Sequence, residues 1–179
     1  MKYLKLFIFV FLSFIFSNIS FSDIINKITI SGNSRITDET IITFLPVKLN
    51  TDIDEFQINN ITKELYKTNF FKNITITFNN NELNIIVEEN PIIQNIIFNG
   101  IKSDTLKKFI TSETLLKPRS SFTDFFLEQD LDKIKDNLNK RGYYFSSIKT
   151  KIEALDNNII NLIYDFNLGE KAKIKKISF

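Results

Sequence analysis

The order of strand, helix and turn signals runs through this chain twice, and that doubling limits its possible folds more than any single motif. The hinge between the two passes is Glu82 to Gly100. Leu83, Ile85 and Val87 alternate with polar or exposure-tolerant neighbours, the period of a half-buried strand. Glu88-Glu89-Asn90-Pro91 breaks the pattern, because Pro91 has no N–H for a ladder and biases Asn90 toward an extended conformation. Ile92 to Phe98 resumes as a β-rich run and stops at the turn signal Asn99-Gly100. The same style of strand and stop precedes it at Ile25 to Gly32 and follows it at Ile174 to Phe179.

In the first pass a strand over Ile24 to Ser31 ends at Gly32-Asn33. Thr37-Asp38-Glu39-Thr40 opens a short helix carrying Ile41, Phe44 and Leu45, which Pro46 stops. Asp54 with Gln57 is a capping-box pattern before a second helix with Ile58, Ile61 and Leu65 on one face. Ile74, Ile76 and Phe78 alternate with Asn73, Thr75 and Thr77, and Asn79-Asn80-Asn81 turns the chain into the strand from Glu82. The second pass repeats this order. A strand over Ile92 to Phe98 precedes a short helix capped at Ser103-Asp104, a loop with Pro118, and a long helix with Leu127, Leu131, Ile134 and Leu138 on one stripe. Gly142 ends that helix, and two strands follow around Asp156-Asn157-Asn158. Leu65-x-Lys67-x-Asn69-Phe70-Phe71 overlays Leu138-x-Lys140-x-Gly142-Tyr143-Tyr144, and Leu83-Asn84-x-Ile86-x-Glu88 overlays Ile160-Asn161-x-Ile163-x-Asp165. Self-similarity over a whole β-α-α-β-β unit predicts an α+β chain of two tandem small domains rather than a solenoid.

The first residues stand apart from this pattern. Met1 to Lys5 is short and basic, Leu6 to Phe16 is apolar apart from Ser13, and Ser20-Phe21-Ser22 places small residues where a signal peptidase reads. Residues 1–22 are therefore expected to be a cleaved export signal. The apolar run is short beside the roughly 20 residues of a spanning helix, which disfavours an uncleaved anchor. Of 179 residues, 157 remain after this cut, room for one ordinary domain or two small ones. The chain has no Cys, so an exported protein of this kind rests on packing without disulfides. It has no His either, which removes the commonest general base and, with Cys, the commonest metal ligands. Its 4 glycines are not spaced for a phosphate-binding loop. No cofactor, metal or enzymatic activity is expected. A net charge of +2 gives no support for nucleic acid as a partner.

Ile28-Thr29-Ile30-Ser31-Gly32-Asn33 with Arg35-Ile36, Leu65 to Ile74, and Val87 to Gly100 carry a family resemblance. The chain resembles the periplasmic polypeptide-transport-associated (POTRA) repeats of BamA-type outer-membrane β-barrel assembly factors. That resemblance implies a three-stranded mixed sheet with two helices on one face in each repeat. It implies repeat 1 over 23–90, repeat 2 over 91–169, and the first strand of a third repeat over 170–179. It further implies a place at the periplasmic face of the bacterial outer membrane. The partners it implies are unfolded outer-membrane proteins, accessory assembly lipoproteins, and the membrane itself through a barrel that this sequence does not contain. The alternatives are the repeats of a two-partner secretion or translocation-type transporter, or of a division-protein relative. Ile101 stands where the family usually has a polar residue, so the turn after Gly100 is expected to differ.

The resemblance places the strand from Lys72 to Asn79 at a sheet edge, where unpaired backbone groups can accept an extended client by β-augmentation. The candidate binding residues are Ile74, Thr75, Ile76, Thr77 and Phe78, with Ile148, Lys149, Thr150 and Lys151 on the equivalent strand. Lys149 and Lys151 are expected to point away from the core, and lysine on an edge equally discourages pairing. Phe70-Phe71 and Tyr143-Tyr144 are expected to fill core. Phe125 and Phe126 are adjacent on a helix and cannot both face one sheet, so one is expected to be exposed or against the neighbouring repeat. Glu88-Glu89 is expected to be a solvated strand end, its two side chains on opposite faces and unable to converge as a catalytic pair.

Overall fold

The computed structural model describes residues 23–173; the expected export signal and the strand Ile174 to Phe179 lie outside the described residues. Its strands are β1 (Asp23–Ile24), β2 (Lys27–Ser31), β3 (Asp52–Ile53), β4 (Phe71–Asn79), β5 (Glu82–Glu89), β6 (Ile92–Asn99), β7 (Ser147–Leu155) and β8 (Ile159–Asn167). Its helices are α1 (Asp38–Thr43), α2 (Glu55–Lys67), α3 (Asp104–Ile110) and α4 (Asp124–Lys140). Two three-stranded sheets are ordered β2-β5-β4 and β6-β8-β7. In each, the last strand is central, parallel to the first and antiparallel to its hairpin partner.

The helices begin where their caps predict. Thr37, Ser103 and Thr123 each accept the N–H three residues on, and Asp54 and Gln57 form the full reciprocal box at 2.7 and 2.9 Å. The apolar stripes then set the packing. Ile61 and Leu65 of α2 lie fully buried on Leu83, Ile85 and Val87 of β5. Ile134 and Leu138 of α4 lie on Leu162, Tyr164 and Phe166 of β8. Each repeat thus has its own core between one sheet face and two helices.

The equivalence of the repeats extends to single backbone bonds. Ile25 donates to Thr51 O at 3.0 Å and accepts from Asn50 N at 2.7 Å, while Ile93 donates to Ser120 O at 3.0 Å and accepts from Arg119 N at 2.7 Å. Asn81 O accepts from Asn26 N and its Nδ2 donates to Ile24 O, while Asn158 O accepts from Ile92 N and its Nδ2 donates to Glu89 O. A hairpin-tip asparagine therefore holds the entry of the first strand in both repeats. Asn80, Asn81, Asn157 and Asn158 all have positive φ, which asparagine tolerates in tight turns.

Two expectations are corrected. The strand expected over Ile24 to Ser31 is broken at Ile25-Asn26, because Ile25 bonds to the loop after α1 and β1 pairs with β3 instead. The overlay of β5 on β8 is displaced by two residues. Ile28 pairs with Leu83 and its counterpart Ile96 pairs with Leu162, so Leu83 corresponds to Leu162 rather than to Ile160. A two-residue shift keeps every side chain on its face, so periodicity alone cannot detect it.

Gly32 and Gly100 occupy the same place, just after the first strand, with φ of +85° and +83°. A Cβ would collide with the carbonyl oxygen of Val87 at the first and of Phe166 at the second. Left-handed backbone costs a non-glycine residue about 1–3 kcal/mol, and the clash with main chain adds to it. Gly32→Ala and Gly100→Ala are each expected to cost at least ~2 kcal/mol, read as a lowered urea midpoint of the full chain.

Candidate functional site

β4 and β7 each pair on one side only, β4 with β5 and β7 with β8, and form the outer edges of their sheets. In β4, Ile74, Ile76 and Phe78 lie opposite buried Val87, Ile85 and Leu83 and pack half-buried on the first core. Thr75 and Thr77 face outward and are exposed. In β7, Ile148 is half-buried against the second core, while Lys149, Thr150 and Lys151 are exposed. The nine candidate residues thus form two separate edges, one per sheet, and do not converge on a single pocket.

The edges differ in how well the helix layer covers them. Ile148, Thr150, Ile152 and Ala154 of β7 lie opposite buried Phe166, Tyr164, Leu162 and Ile160, so they belong to the inner face. Beyond Ile148 that face is open, and Ile152 is 44% exposed. The opposite edges are β2 and β6. The start of β6 is covered by Arg119 to Phe122. Beside β2 runs an apolar groove lined by Ile28, Ile42, Leu45, Val47 and Leu49, which the sequence reading did not single out. Its signal was present: Ile42 and Leu49 are large apolar residues off the buried stripe and remain 44% and 52% exposed.

The aromatic corners behave unequally. Phe71 is buried, and Phe70 is half-buried, edge-on to both Phe44 and Phe71 at 6.0 and 6.3 Å. Tyr143 is half-buried under the Lys171 ammonium at 5.9 Å. Tyr144 corrects the core-filling expectation, at 60% exposure. The corner from α2 to β4 is Thr68 to Phe70, whereas that from α4 to β7 runs from Arg141 to Ser146, and the longer path carries Tyr144 and Phe145 outward. Phe126 packs on the second core, and Phe125 lies in the cleft between the repeats beside Tyr66, Phe71 and Asn90.

Glu88 and Glu89 do point to opposite faces, but only Glu88 is solvated; Glu89 is buried. Glu89 follows Leu83, Ile85 and Val87 on the inward face, where one oxygen accepts the N–H groups of Ser34, Arg35 and Ile36 at 2.9, 3.0 and 2.9 Å. The Arg35 guanidinium lies 3.4 Å from its other oxygen. Burial pushes the Glu89 carboxyl up, but the three N–H groups and the Arg35 charge outweigh it and hold the group below 4.5. Asp130 plays the corresponding part in repeat 2. It is fully buried, and its oxygens accept Leu115 N at 2.6 Å and Leu116 N at 2.9 Å. Both acids serve main-chain N–H groups of loops within their own repeat. Among the described residues there is no group of three or more acids, His or Cys that could hold a metal.

The protein-family model described as "POTRA: Surface antigen variable number repeat" matches residues 24–90 and 91–169. The chain belongs to the POTRA family. It is 28% identical over 158 residues to the outer membrane protein assembly factor BamA of Neisseria meningitidis serogroup B, covering 87% of this chain and 20% of that protein. It is 26% identical over 157 residues to BamA of Buchnera aphidicola, covering 86% of this chain and 25% of that protein. The chain thus spans a quarter or less of these curated relatives. The N-terminal domain of Omp85 from Thermosynechococcus elongatus superposes with a TM-score of 0.53 at 12% identity, over 79% of this chain and 61% of that one, a likeness of fold.

The sign of the Glu89 effect on stability follows from its lowered pKa. A carboxyl held below 4.5 in the fold contributes stability that is complete above its unfolded value and lost as pH falls through the folded one. Glu89→Gln is expected to cost about 1–3 kcal/mol near neutral pH. The gap between the wild type and this variant should stay constant from about pH 6 upward and close below about pH 4.5. Urea denaturation of both proteins across pH checks this; a gap that persists undiminished at low pH contradicts it.

Proposed function

We propose that this chain is the periplasmic repeat region of an outer-membrane β-barrel assembly factor. It acts as a binding scaffold, not an enzyme, with working units at 23–90 and 91–169. In this reading it receives unfolded outer-membrane proteins and accessory assembly lipoproteins by β-augmentation and presents them to a membrane barrel. The observation that carries the reading is that each POTRA repeat ends its sheet in a long strand, β4 or β7, paired on one side only. Similarity to BamA over most of the chain supports the assignment to outer-membrane assembly.

β-Augmentation suits such a task for a physical reason. Main-chain hydrogen bonds supply affinity that any extended chain can satisfy, and side-chain pockets add only modest preference. A free edge can therefore accept many unrelated clients. β4 is suited to this, because its outward residues Asn73, Thr75 and Thr77 are uncharged and neither repel nor select by charge.

The absence of Cys allows a direct test, since any introduced cysteine is unique. Thr75→Cys on β4 and Lys63→Cys on the exposed side of α2 would be mixed with a urea-released outer-membrane β-barrel protein carrying one cysteine, under mild oxidation. Mixed disulfide is expected to be at least several-fold more abundant from Thr75→Cys. Equal trapping from the helix position would overturn β4 as the receiving edge.

A further inference from the structure

The two edges are chemically different, and we infer that β7 selects an extended segment carrying Asp or Glu on one face and apolar residues on the other. This rests on the β-augmentation reading and names the client chemistry of the second edge. Two observations carry it. The first is charge. Lys149 and Lys151 project side by side from the outward face of β7, and among the described residues neither has a carboxylate within 4.0 Å. The cross-strand neighbour of Lys149 is Asp165, whose carboxylate is engaged by Asn99 Nδ2 at 2.7 Å. Glu153, further along β7, accepts from Asn161 at 3.0 Å. On β4, by contrast, Lys72 is satisfied by Glu88 at 3.0 Å.

The second observation is the open inner face. Thr150, Ile152 and Ala154 lie on the core side of the sheet yet stay exposed, so the far half of that face is left uncovered among the described residues. A strand added beside β7 would place alternate side chains on that open apolar shelf and the others beside Lys149 and Lys151. Its first set must be apolar to gain from Ile152. Its second set meets two ammonium groups that, among the described residues, have no carboxylate within 4.0 Å, so acids there are favoured over lysine or arginine, although Asp165 and Glu153 on the same face reduce the contrast. Opposite charges directly across a strand pair are favourable and like charges unfavourable. Lysines that would only block pairing do not account for an apolar shelf left uncovered beside them; lysines that admit acids and refuse bases account for both.

The test uses the full chain and three labelled synthetic peptides of equal length, alternating valine with glutamate, with serine or with lysine. Each carries one terminal cysteine for disulfide trapping at Glu153→Cys on β7. Anisotropy titrations are expected to rank glutamate above serine above lysine, with roughly threefold to tenfold between the first and the last. That preference should shrink as salt is raised. Lys149→Glu with Lys151→Glu, checked for an unchanged melting transition, should reverse the order. Equal affinity for the glutamate and lysine peptides, an unchanged order in the reversed variant, or no trapping at Glu153→Cys overturns the selection at β7. Trapping of the serine peptide at Thr75→Cys on β4 reports on β-augmentation separately, so that reading can survive while charge selection fails.

Discussion

The link between the two repeats depends on how the chain crosses Glu89-Asn90-Pro91. No spacer separates the repeats, because β5 ends at Glu89 and β6 begins at Ile92. Each residue of the crossing is bonded. The Glu89 side chain holds the loop of repeat 1, and its carbonyl accepts Asn158 Nδ2 from the hairpin tip of repeat 2. Asn90 donates through its main chain to Phe70 O at 2.7 Å and through its side chain to Asn69 O at 3.0 Å. Pro91, which has no N–H to satisfy, accepts from Phe122 N at 2.8 Å. A buried donor or acceptor left without a partner is costly, and along this crossing Asn90 is met from repeat 1, Pro91 from repeat 2 and Glu89 from both. The bond from Asn158 that seats the first strand of repeat 2, repeated within repeat 1 by Asn81, is therefore also the bond that joins the repeats.

One buried carboxylate per repeat solves a recurring problem by two routes. A loop packed over a core leaves N–H groups without partners. In repeat 1 the stretch between Gly32 and the helix cap at Thr37 presents three such groups, and Glu89 accepts all of them. In repeat 2 the path from Gly100 to the cap at Ser103 is shorter, and the position matching Glu89 is Leu168, which packs on the same core as Ile101. The apolar Ile101 thus belongs with a turn that needs no acid. The demand moves to the loop before α4, where Asp130 accepts from Leu115 and Leu116. Burial, helped by the charge on Asp130, keeps the neighbouring Tyr164 phenol protonated far above its usual range.

Much of this was legible because local chemistry and global packing agree. The capped helices, the apolar stripes and the asparagine turns each have a short-range cause, and each lies where that cause predicts. The misses share a different origin. A strand end before the linker favours solvated acids at Glu88-Glu89, yet extending the alternation of Leu83, Ile85 and Val87 by one step turns Glu89 inward. Asp130 gave the same kind of signal, an acid one helical turn before the buried Ile134. Tyr144 escaped because a doubled aromatic pair overlays well in sequence while the corner that carries it is longer in space. The two-residue displacement of β8 was invisible because strands tolerate even shifts without changing faces.

What the duplication preserved and what it let vary divide along physical lines. The features common to both repeats are those that main-chain geometry enforces: the glycine that clears a carbonyl after the first strand, the asparagine at the hairpin tip, the left-handed residue after the second helix at Asn69 and Gly142. The features that differ include the position of the buried acid, Glu89 in one repeat and Asp130 in the other, and the chemistry of the edges. β4 presents an uncharged row beside a packed apolar face, and β7 presents two lysines beside an open one. Two residues, Asn90 and Pro91, separate the sheets that carry these edges, and the Asn158 side chain bonds across them to Glu89 O. On the proposed β-augmentation reading, unlike edges on adjacent repeats would hold successive stretches of one client by different criteria.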